Sequence, residues 1–317
     1  MQRYLARRLL LLIPTLLLAS VLIFAIIALA PGDPARMMLG SQATPEEIEV
    51  ERERLGLNQP IPVRYAIWLT DVAKLNLGVS QSNRRPVAAL IGDALPYTLR
   101  LALISLGVAM LIGFPLGILA ALNANRRLDA IVTAINSLGL AMPAFWLGLL
   151  LILLFSVELK WLPASGMGEP NRPLYERLHY LIMPVATIAF SNLSVFSRYV
   201  RSAMIDVLSA DYVRTARAKG LAEQAVVVRH ALRNAMIPVV TIVGIQFGRL
   251  LGGAVVTESV FAYPGIGRLV INSIANRDYP VVQATLMLVV LIFLITNIIV
   301  DASYAYLDPR VKLERGR

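Results

Sequence analysis

Long apolar runs separated by polar connections dominate the hydrophobic pattern of this chain. A helix of about 20 apolar residues is long enough to cross the roughly 30 Å hydrocarbon core of a bilayer. The pattern predicts six such spans, near residues 9–30, 97–122, 130–157, 180–203, 235–257 and 282–305. We therefore predict an all-α membrane protein with six transmembrane helices, in which residues 1–317 form a single transmembrane domain.

The first apolar run has a competing interpretation as a cleavable signal peptide. The sequence Ala28-Leu29-Ala30 resembles the small-residue cleavage site of such peptides. Against this, the run over residues 9–30 is longer than the usual 7–15 apolar residues of a signal peptide. Pro31 would also follow the cut, where proline normally blocks processing. We predict a retained transmembrane helix.

Glycine and proline residues interrupt two of the predicted spans. The second span contains Gly113, Pro115 and Gly117, and the third contains Pro143 and Gly148. Neighbouring protein can satisfy the backbone groups that such residues leave free, and small residues let helices approach closely. We expect both helices to be packed against other helices and not to face lipid.

Composition supports the membrane assignment and narrows the chemistry. The chain is 57% hydrophobic and only 16% charged, whereas soluble domains are near 25% charged. Its net charge of +10 does not indicate nucleic-acid binding, because the basic residues are not interleaved with aromatic residues on one face. The absence of cysteine excludes disulfides and thiolate metal sites, and His179 and His230 lack the spacing of metal ligands. The sequence predicts no metal site.

The basic residues lie beside the apolar runs and so predict orientation. Cytoplasmic loops of membrane proteins are enriched in lysine and arginine. With a cytoplasmic N-terminus, the basic clusters that fall inside the cell are Arg3, Arg7 and Arg8, Arg126 and Arg127, residues 204–234, and the tail with Arg310, Lys312, Arg315 and Arg317. We predict that both termini are cytoplasmic and that residues 31–95 are extracytoplasmic. Within that segment, residues 59–79 lie either along the membrane surface or in a small folded layer outside it.

The cytoplasmic segment contains a short basic helix over residues 209–220. Ser209 is expected to be its N-cap, and Asp211 places a carboxylate near the positive end of the helix dipole. Arg217 and Lys219 fall in the last turn, and Gly220 stands where a helix commonly ends in a left-handed conformation. The sequence predicts a compact, well-delimited helix.

Two interpretations of this helix are open. It is either a charged loop that only enforces topology, or a helix that docks in a groove of another protein. Tyr212, Thr215, Ala216 and Lys219 follow the i, i+3, i+4, i+7 spacing of one helical face. Such an organised face favours docking.

Several ordered motifs carry a resemblance to a known family. Two passages resemble the cytoplasmic loop of inner-membrane permeases of binding-protein-dependent ABC importers. They are Asp211-Tyr-Val-Arg-Thr-Ala-Arg-Ala-Lys-Gly220 and His230-Ala-Leu-Arg-Asn-Ala-Met-Ile-Pro-Val-Val-Thr241. Further matches over the whole chain include Pro31-Gly-Asp-Pro34, Leu77-Gly-Val-Ser80, Phe261-Ala-Tyr-Pro-Gly-Ile-Gly267 and Arg277-Asp-Tyr-Pro-Val-Val-Gln283. Within the family, the chain is most similar to the B-type subunit of the dipeptide, oligopeptide and nickel branch. Where the wider family often has Glu-Ala-Ala, this chain has Arg214-Thr215-Ala216.

The resemblance implies a type I ABC importer permease fold in the bacterial inner membrane. It implies a second homologous permease as heterodimer partner, two ATPase subunits that hold ATP and Mg, and an extracytoplasmic substrate-binding protein. The chain itself would be a pathway-forming subunit without a cofactor and not an enzyme, and it has no G-x-x-x-x-G-K-[ST] loop for ATP. Residues 209–220 would be the coupling helix, with ATPase contacts at Asp211, Tyr212, Arg214, Thr215, Ala216, Ala218, Lys219 and Gly220.

The branch implies uptake of peptides, including di- and oligopeptides and glutathione-like peptides. A nickel-chelate importer of the same family is the alternative, and an ATP-independent secondary transporter belongs to a different class. An intramembrane hydrolase would need a nucleophile and a base that meet at depth, and neither His179 nor His230 lies inside a predicted span.

Polar residues inside spans are costly and therefore mark candidate pathway positions. Gln246 and Arg249 of the fifth span either face the pathway, where Arg249 would meet a peptide carboxylate, or pair within the bundle. Asn192 is a third candidate, and we expect both Asn192 and Ser194 to form hydrogen bonds between helices. Glu258 lies near a span end, where we expect its carboxylate to reach water.

Overall fold

The structure is a computed structural model that describes residues 2–29, 32–40, 42–169 and 173–307. All regular elements in these ranges are helices, accompanied by a single antiparallel bridge between Val79 and Pro86. The α-helices are α1 (Gln2–Ala28), α2 (Pro34–Leu39), α3 (Pro45–Arg54), α4 (Ile61–Ala73), α5 (Val87–Leu122), α6 (Arg127–Ala141), α7 (Ala144–Leu151), α8 (Leu174–Leu208), α9 (Asp211–Ala218), α10 (Glu223–Ala225), α11 (Arg233–Gly253), α12 (Val255–Val260), α13 (Ile266–Ala275) and α14 (Tyr279–Leu307). Two π-helical segments, Ile152–Glu158 and Val226–Leu232, continue α7 and α10.

Five helical stretches are long and apolar enough to span a membrane. They are Leu10–Ala28, Val87–Leu122, Tyr175–Leu208, Glu223–Leu250 and Tyr279–Val300. Arg127–Ala141 and Ala144–Glu158 pass the same test only as a pair, which is bent by 102°, and they make a sixth span if the two are counted as one broken span. The all-helical prediction is confirmed.

The bend in the third predicted span lies at Met142 and Pro143. Met142 has φ −80° and ψ 122°, an extended conformation. Proline disfavours the helical conformation at the residue before it and cannot donate a backbone hydrogen bond. With Met142 extended, α6 ends at Ala141 and α7 begins after Pro143 in a new direction.

The core of the bundle is the contact between α5 and α8. A Cβ added at Gly113 would lie 2.8 Å from the Leu193 carbonyl oxygen, and one at Gly117 would lie 2.8 Å from Val200 Cβ. Both glycines are buried, and they are one helical turn apart on the face of α5 that meets α8. The backbones can approach this closely only because both residues lack a side chain. The predicted packing of this span against another helix is confirmed for this face, whereas Leu103 and Leu111 elsewhere on α5 are exposed.

Helices α2–α4 form a small layer beside the last turns of α1. The Ser20 hydroxyl and the Tyr65 hydroxyl are hydrogen bonded at 2.8 Å. The ring of Phe24 lies 5.5 Å from that of Tyr65 and 5.6 Å from that of Trp68, between centroids. Of the two interpretations of residues 59–79, this packing favours a folded layer.

Candidate coupling helix and transport pathway

Helix α9 begins without a side-chain cap. Ala210 is its N-cap in an extended conformation, and no side chain accepts a hydrogen bond from the first turn. The Ser209 hydroxyl instead donates to the Asp206 carbonyl oxygen at 2.8 Å, at the end of α8. The N-cap prediction for Ser209 was therefore wrong, because the preceding helix extends up to this residue. Asp211 does lie in the first turn, as expected.

The C-terminus of α9 ends as the sequence indicates. Arg217 is in the last turn, Lys219 is the C-cap, and Gly220 follows with φ 76°. A Cβ added at Gly220 would meet no atom within 4 Å, so space does not require glycine here. The left-handed conformation does, because it is strained for residues with a side chain.

The inner face of α9 is held by the rest of the chain. Val213 is fully buried and Ala216 is 6% exposed, and both pack with Val226, Val207 and Leu208. Ala216 therefore does not share an exposed face with the three residues that the spacing grouped with it. The packing fixes α9 at the junction between the end of α8 and the π-helical segment.

The outer face of α9 is polar and exposed. Its exposed members among the predicted contact residues are Asp211, Tyr212, Arg214, Thr215, Ala218, Lys219 and Gly220. Arg217 forms two hydrogen bonds with Glu223, at 3.1 and 2.7 Å, and this ion pair raises the pKa of the arginine. Arg214 pairs more loosely with Asp211 at 3.4 Å. The ion pair with Glu223 holds Arg217 to its own chain, whereas Arg214 and Lys219 present positive charge to the outside.

Helix α9 is connected to three spans through a second core. Val227 and Ala231 of the π-helical segment pack with Val200 and Met204 of α8 and with Ala121 of α5. π-Helical turns are rare and are frequent at functional positions. Val207 and Leu208, at the end of α8, pack against both this core and the cluster that holds α9.

An ion pair that sequence reasoning missed ties α6 to α8 near the same end. Arg201 Nε and Nη2 donate to the two carboxylate oxygens of Asp129 at 2.5 and 2.7 Å. The Asn125 amide donates to the same carboxylate at 2.9 Å, and the Asp129 side chain is 6% exposed. The two residues are 72 positions apart, so no local pattern marks them as partners.

The three candidate pathway residues form a connected polar chain. Gln246 Nε2 donates to Asn192 Oδ1 at 2.9 Å, which joins α11 to α8. Arg249 Nη1 donates to Gln246 Oε1 at 3.4 Å, and Arg249 is exposed. The interhelical hydrogen bond expected of Asn192 is confirmed. The one expected of Ser194 was wrong, because its hydroxyl donates to Phe190 in its own helix.

Glu258 is fully buried and does not reach water, so that expectation was wrong. It accepts hydrogen bonds from Thr98 Oγ1 at 2.6 Å and from the amides of Gly267 and Arg268 at 2.7 and 3.2 Å. Its carboxylate thus covers the N-terminus of α13, where the helix dipole favours negative charge. Burial raises the pKa of the Glu258 carboxyl, and the three hydrogen bonds oppose this rise without cancelling it.

Asp278 holds the loop before α5 against the start of α14. Its carboxylate accepts from the Ser80 hydroxyl, from the Gln81 amide at 3.0 Å, and from the Ser82 amide and hydroxyl at 3.2 and 2.7 Å. Burial raises the pKa of the Asp278 carboxyl, but these hydrogen bonds outweigh burial and leave the pKa below its ordinary value. Glu258 and Asp278 together fix the connection between α11 and α14.

Comparison with known proteins identifies the family. Residues 113–313 match the family model described as "Binding-protein-dependent transport system inner membrane component". The chain belongs to this family. Residues 1–102 match the model of the N-terminal region of such membrane components.

Relatives of this permease family agree over nearly the whole chain. The glutathione transport system permease protein GsiC of Escherichia coli (strain K12) and that of Salmonella typhimurium (strain LT2) are each 45% identical over 312 residues, which is 98% of this chain and 99% of the relative. A solved structure of the MetNI methionine ABC transporter has a TM-score of 0.59 and 18% identity, over 70% of this chain and 98% of that chain. The fold is that of type I ABC importer permeases.

Membership of this family establishes the general role of the chain. It is the transmembrane permease subunit of an ABC importer and a multi-pass protein of the bacterial inner membrane. ATP hydrolysis belongs to separate subunits, and the family implies ATPase and substrate-binding partners in general. Among the residues described by the structure, no group of His, Cys, Asp and Glu is arranged to hold a metal ion.

Proposed function

We propose that this permease forms one half of a peptide translocation pathway, with a second, homologous permease as the other half. The support is the 45% identity over 98% of the chain to permeases of glutathione transport systems, since glutathione is itself a short peptide. Residues 31–95 would face the side from which a substrate-binding protein delivers the ligand. The partner ATPases would hold ATP and Mg on the cytoplasmic side.

The proposed coupling role rests on the two faces of α9, one of which is buried against the chain and the other exposed. Its inner face, with Val213 and Ala216, is anchored on the transmembrane bundle. Its outer face is exposed, polar and has basic residues at Arg214 and Lys219. A helix built in this way transmits force from a docked partner to the spans. Ala216 contributes from the inside, by holding the helix, and the exposed predicted residues make the ATPase contact.

Closure of the two ATPases on ATP would displace α9 and shift the bundle between inward- and outward-facing states. A partner changes such an equilibrium only through contacts that differ between the two states. The core that joins the π-helical segment to α8 and α5 supplies the mechanical connection. The Asp129–Arg201 ion pair joins α6 to α8, so the two helices would move together.

We further propose that Arg249 meets the carboxylate of the transported peptide. Its only hydrogen-bond contact with the described part of the chain is the long one to Gln246, which leaves most guanidinium donors free. Gln246 is in turn held by Asn192, so the chain of hydrogen bonds orients the arginine from the core outward. Arginine binds carboxylates with two parallel hydrogen bonds.

The coupling role is tested with the assembled complex. Gly220→Pro cannot adopt the left-handed conformation, and Lys219→Glu reverses a charge on the outer face. We expect both variants to insert into the membrane normally and to lose association with the ATPase subunits in pull-down assays. Glu53→Lys on α3 is the matched charge-reversal control. Wild-type association in both α9 variants would show that α9 is only a connecting loop.

The substrate is tested with proteoliposomes that contain the complex and its binding protein. ATP hydrolysis is measured with glutathione, a dipeptide and a nickel chelate in turn. We expect stimulation by a peptide, and a reduced response for Arg249→Gln that is not seen for Lys74→Gln. Stimulation by the nickel chelate alone would overturn the peptide assignment.

A further inference from the structure

A cavity of about 630 Å³ lies between the end of α1, the layer formed by α2–α4, and the start of α14. It is separate from the Asn192–Gln246–Arg249 chain, and none of those residues lines it. Phe24 of α1, Trp68 of α4 and Tyr279 of α14 contribute to its wall. The volume falls within the range of about 300–1,000 Å³ that is usual for small-molecule sites.

One face of α4 supplies opposite charges to this cavity. Arg64, Ile67, Trp68 and Asp71 follow the i, i+3, i+4, i+7 spacing of one helical face, and all four line the cavity. Arg64 and Asp71 are both half-buried. Seven residues at about 1.5 Å per residue separate them by roughly 10 Å along the helix axis. They are therefore positioned to bind two ends of one ligand and not each other.

Within the part of the chain that the structure describes, the charged groups of Arg64 and Asp71 have no partner. Neither side chain has an ion pair or hydrogen bond there, in contrast to the other two arginines of the wall. Arg52 pairs with Asp33 at 3.1 Å, and Arg54 donates to Glu51 at 2.7 Å. A half-buried charge without a partner is unfavourable, and here one of each sign faces the same space.

The remaining wall combines apolar and neutral polar groups. Phe24, Ile27 and Trp68 form apolar surface, and Gln81 and Gln283 offer amide groups. A simple anion would leave Asp71 unpaired, and a simple cation would leave Arg64 unpaired. A ligand that carries both charges satisfies both residues, and its carbon skeleton can rest on the apolar surface.

We propose that this cavity binds a small zwitterion, with its carboxylate or phosphate at Arg64 and its primary ammonium at Asp71. Two sources offer this chemistry. One is a short peptide, of which three residues in extended form span about 10 Å. The other is the headgroup of an ethanolamine phospholipid, because the cavity adjoins the end of the first span. This headgroup is shorter than the peptide, so the side chains of Arg64 and Asp71 would have to extend towards each other to reach its two charges. The proposal does not depend on which substrate the importer transports.

The test uses the assembled transporter, without its binding protein, in micelles of an uncharged maltoside detergent. Binding of trialanine is measured by titration calorimetry, and retention of phosphatidylethanolamine is measured by native mass spectrometry. Loss of one charged contact weakens binding about 10-fold or more. We expect at least one of the two probes to show such a loss in both Arg64→Gln and Asp71→Asn. Lys74→Gln, an exposed change just beyond α4, should bind like wild type.

An uncharged ligand and a charge-exchange variant test whether both charges are required. N-acetyl-trialanine amide lacks both charges and should not bind. The double variant Arg64→Asp with Asp71→Arg exchanges the charges and should restore binding in the reverse orientation, which separates a binding defect from a folding defect. Trialanine dependence identifies the peptide as the source, and phosphatidylethanolamine dependence identifies the lipid. The proposal of a zwitterion site would be overturned if binding were weakened in only one of the two single variants, or if neither probe showed weaker binding.

Discussion

The buried carboxylate of Glu258 should be a main determinant of the stability of the permease. Glu258→Ala would leave the Gly267 amide and the Thr98 hydroxyl without their acceptor in a buried place. At about 1–3 kcal/mol for each stranded donor, the two together cost about 2–6 kcal/mol. With roughly 2 °C lost for each kcal/mol in a large chain, the apparent melting temperature should fall by about 4–12 °C.

The geometry around Gly265 provides a second way to disturb the same contact. A Cβ added at Gly265 would overlap the carboxylate atoms of Glu258. Gly265→Ala should therefore displace the carboxylate and lower the melting temperature in the same direction as Glu258→Ala. Both variants are measured by thermal unfolding of the purified protein in detergent. Glu53→Ala, an exposed carboxylate of α3, is the control and should change stability by at most about 0.5 kcal/mol.

The pH dependence of the melting temperature distinguishes the effect of the charge of Glu258 from the effect of its shape. Because burial raises the pKa of this carboxyl, the folded state binds more protons than the unfolded state above the unfolded pKa. The contribution of Glu258 to stability therefore falls as the pH rises through the folded pKa. Glu258→Gln keeps the shape but does not titrate, so its melting temperature relative to wild type should increase from acidic to alkaline pH.

Two results would refute this reasoning. A melting temperature of Glu258→Ala within about 1 °C of wild type would mean that the stranded donors find other partners. A Glu258→Gln difference that is constant with pH would mean that the carboxylate is as well stabilised in the folded as in the unfolded chain.

Two other predictions follow from contacts between spans. Gly117→Leu should prevent the close approach of α5 and α8 and lower the yield of folded protein in size-exclusion chromatography. The control is Gly107→Leu on the same helix, which should be tolerated because a Cβ added there meets nothing within 4 Å. Arg201→Met should leave the Asp129 carboxylate without its ion-pair partner and reduce both ligand-stimulated ATP hydrolysis and stability. The double variant with Asp129→Leu should recover much of the stability, since removing both partners of this partly buried pair leaves no unpaired charge behind. Full activity of Arg201→Met, or no recovery in the double variant, would contradict the role of the pair.

The sequence by itself determined the features that depend on neighbours along the chain. The length of apolar runs predicted the spans, because a helix must satisfy its backbone within the segment before it can cross a membrane. Gly220 predicted the end of α9, since the left-handed conformation is a local property of the backbone. The ordered motifs from Pro31 to Gln283 carried the resemblance to the permease family, which the comparisons confirmed.

Only the tertiary structure decided which polar residues meet. Glu258 and Thr98 are 160 positions apart, and Asp278 and Ser80 are 198 apart, so no spacing rule connects them. The helical periodicity of α9 grouped Ala216 with exposed residues, but the direction of its side chain depends on where α8 and the π-helical segment lie. The cavity beside α4 exists because α1, α4 and α14 meet there. Each of these features arises from the packing of distant segments, and packing is fixed by the whole fold and not by local sequence.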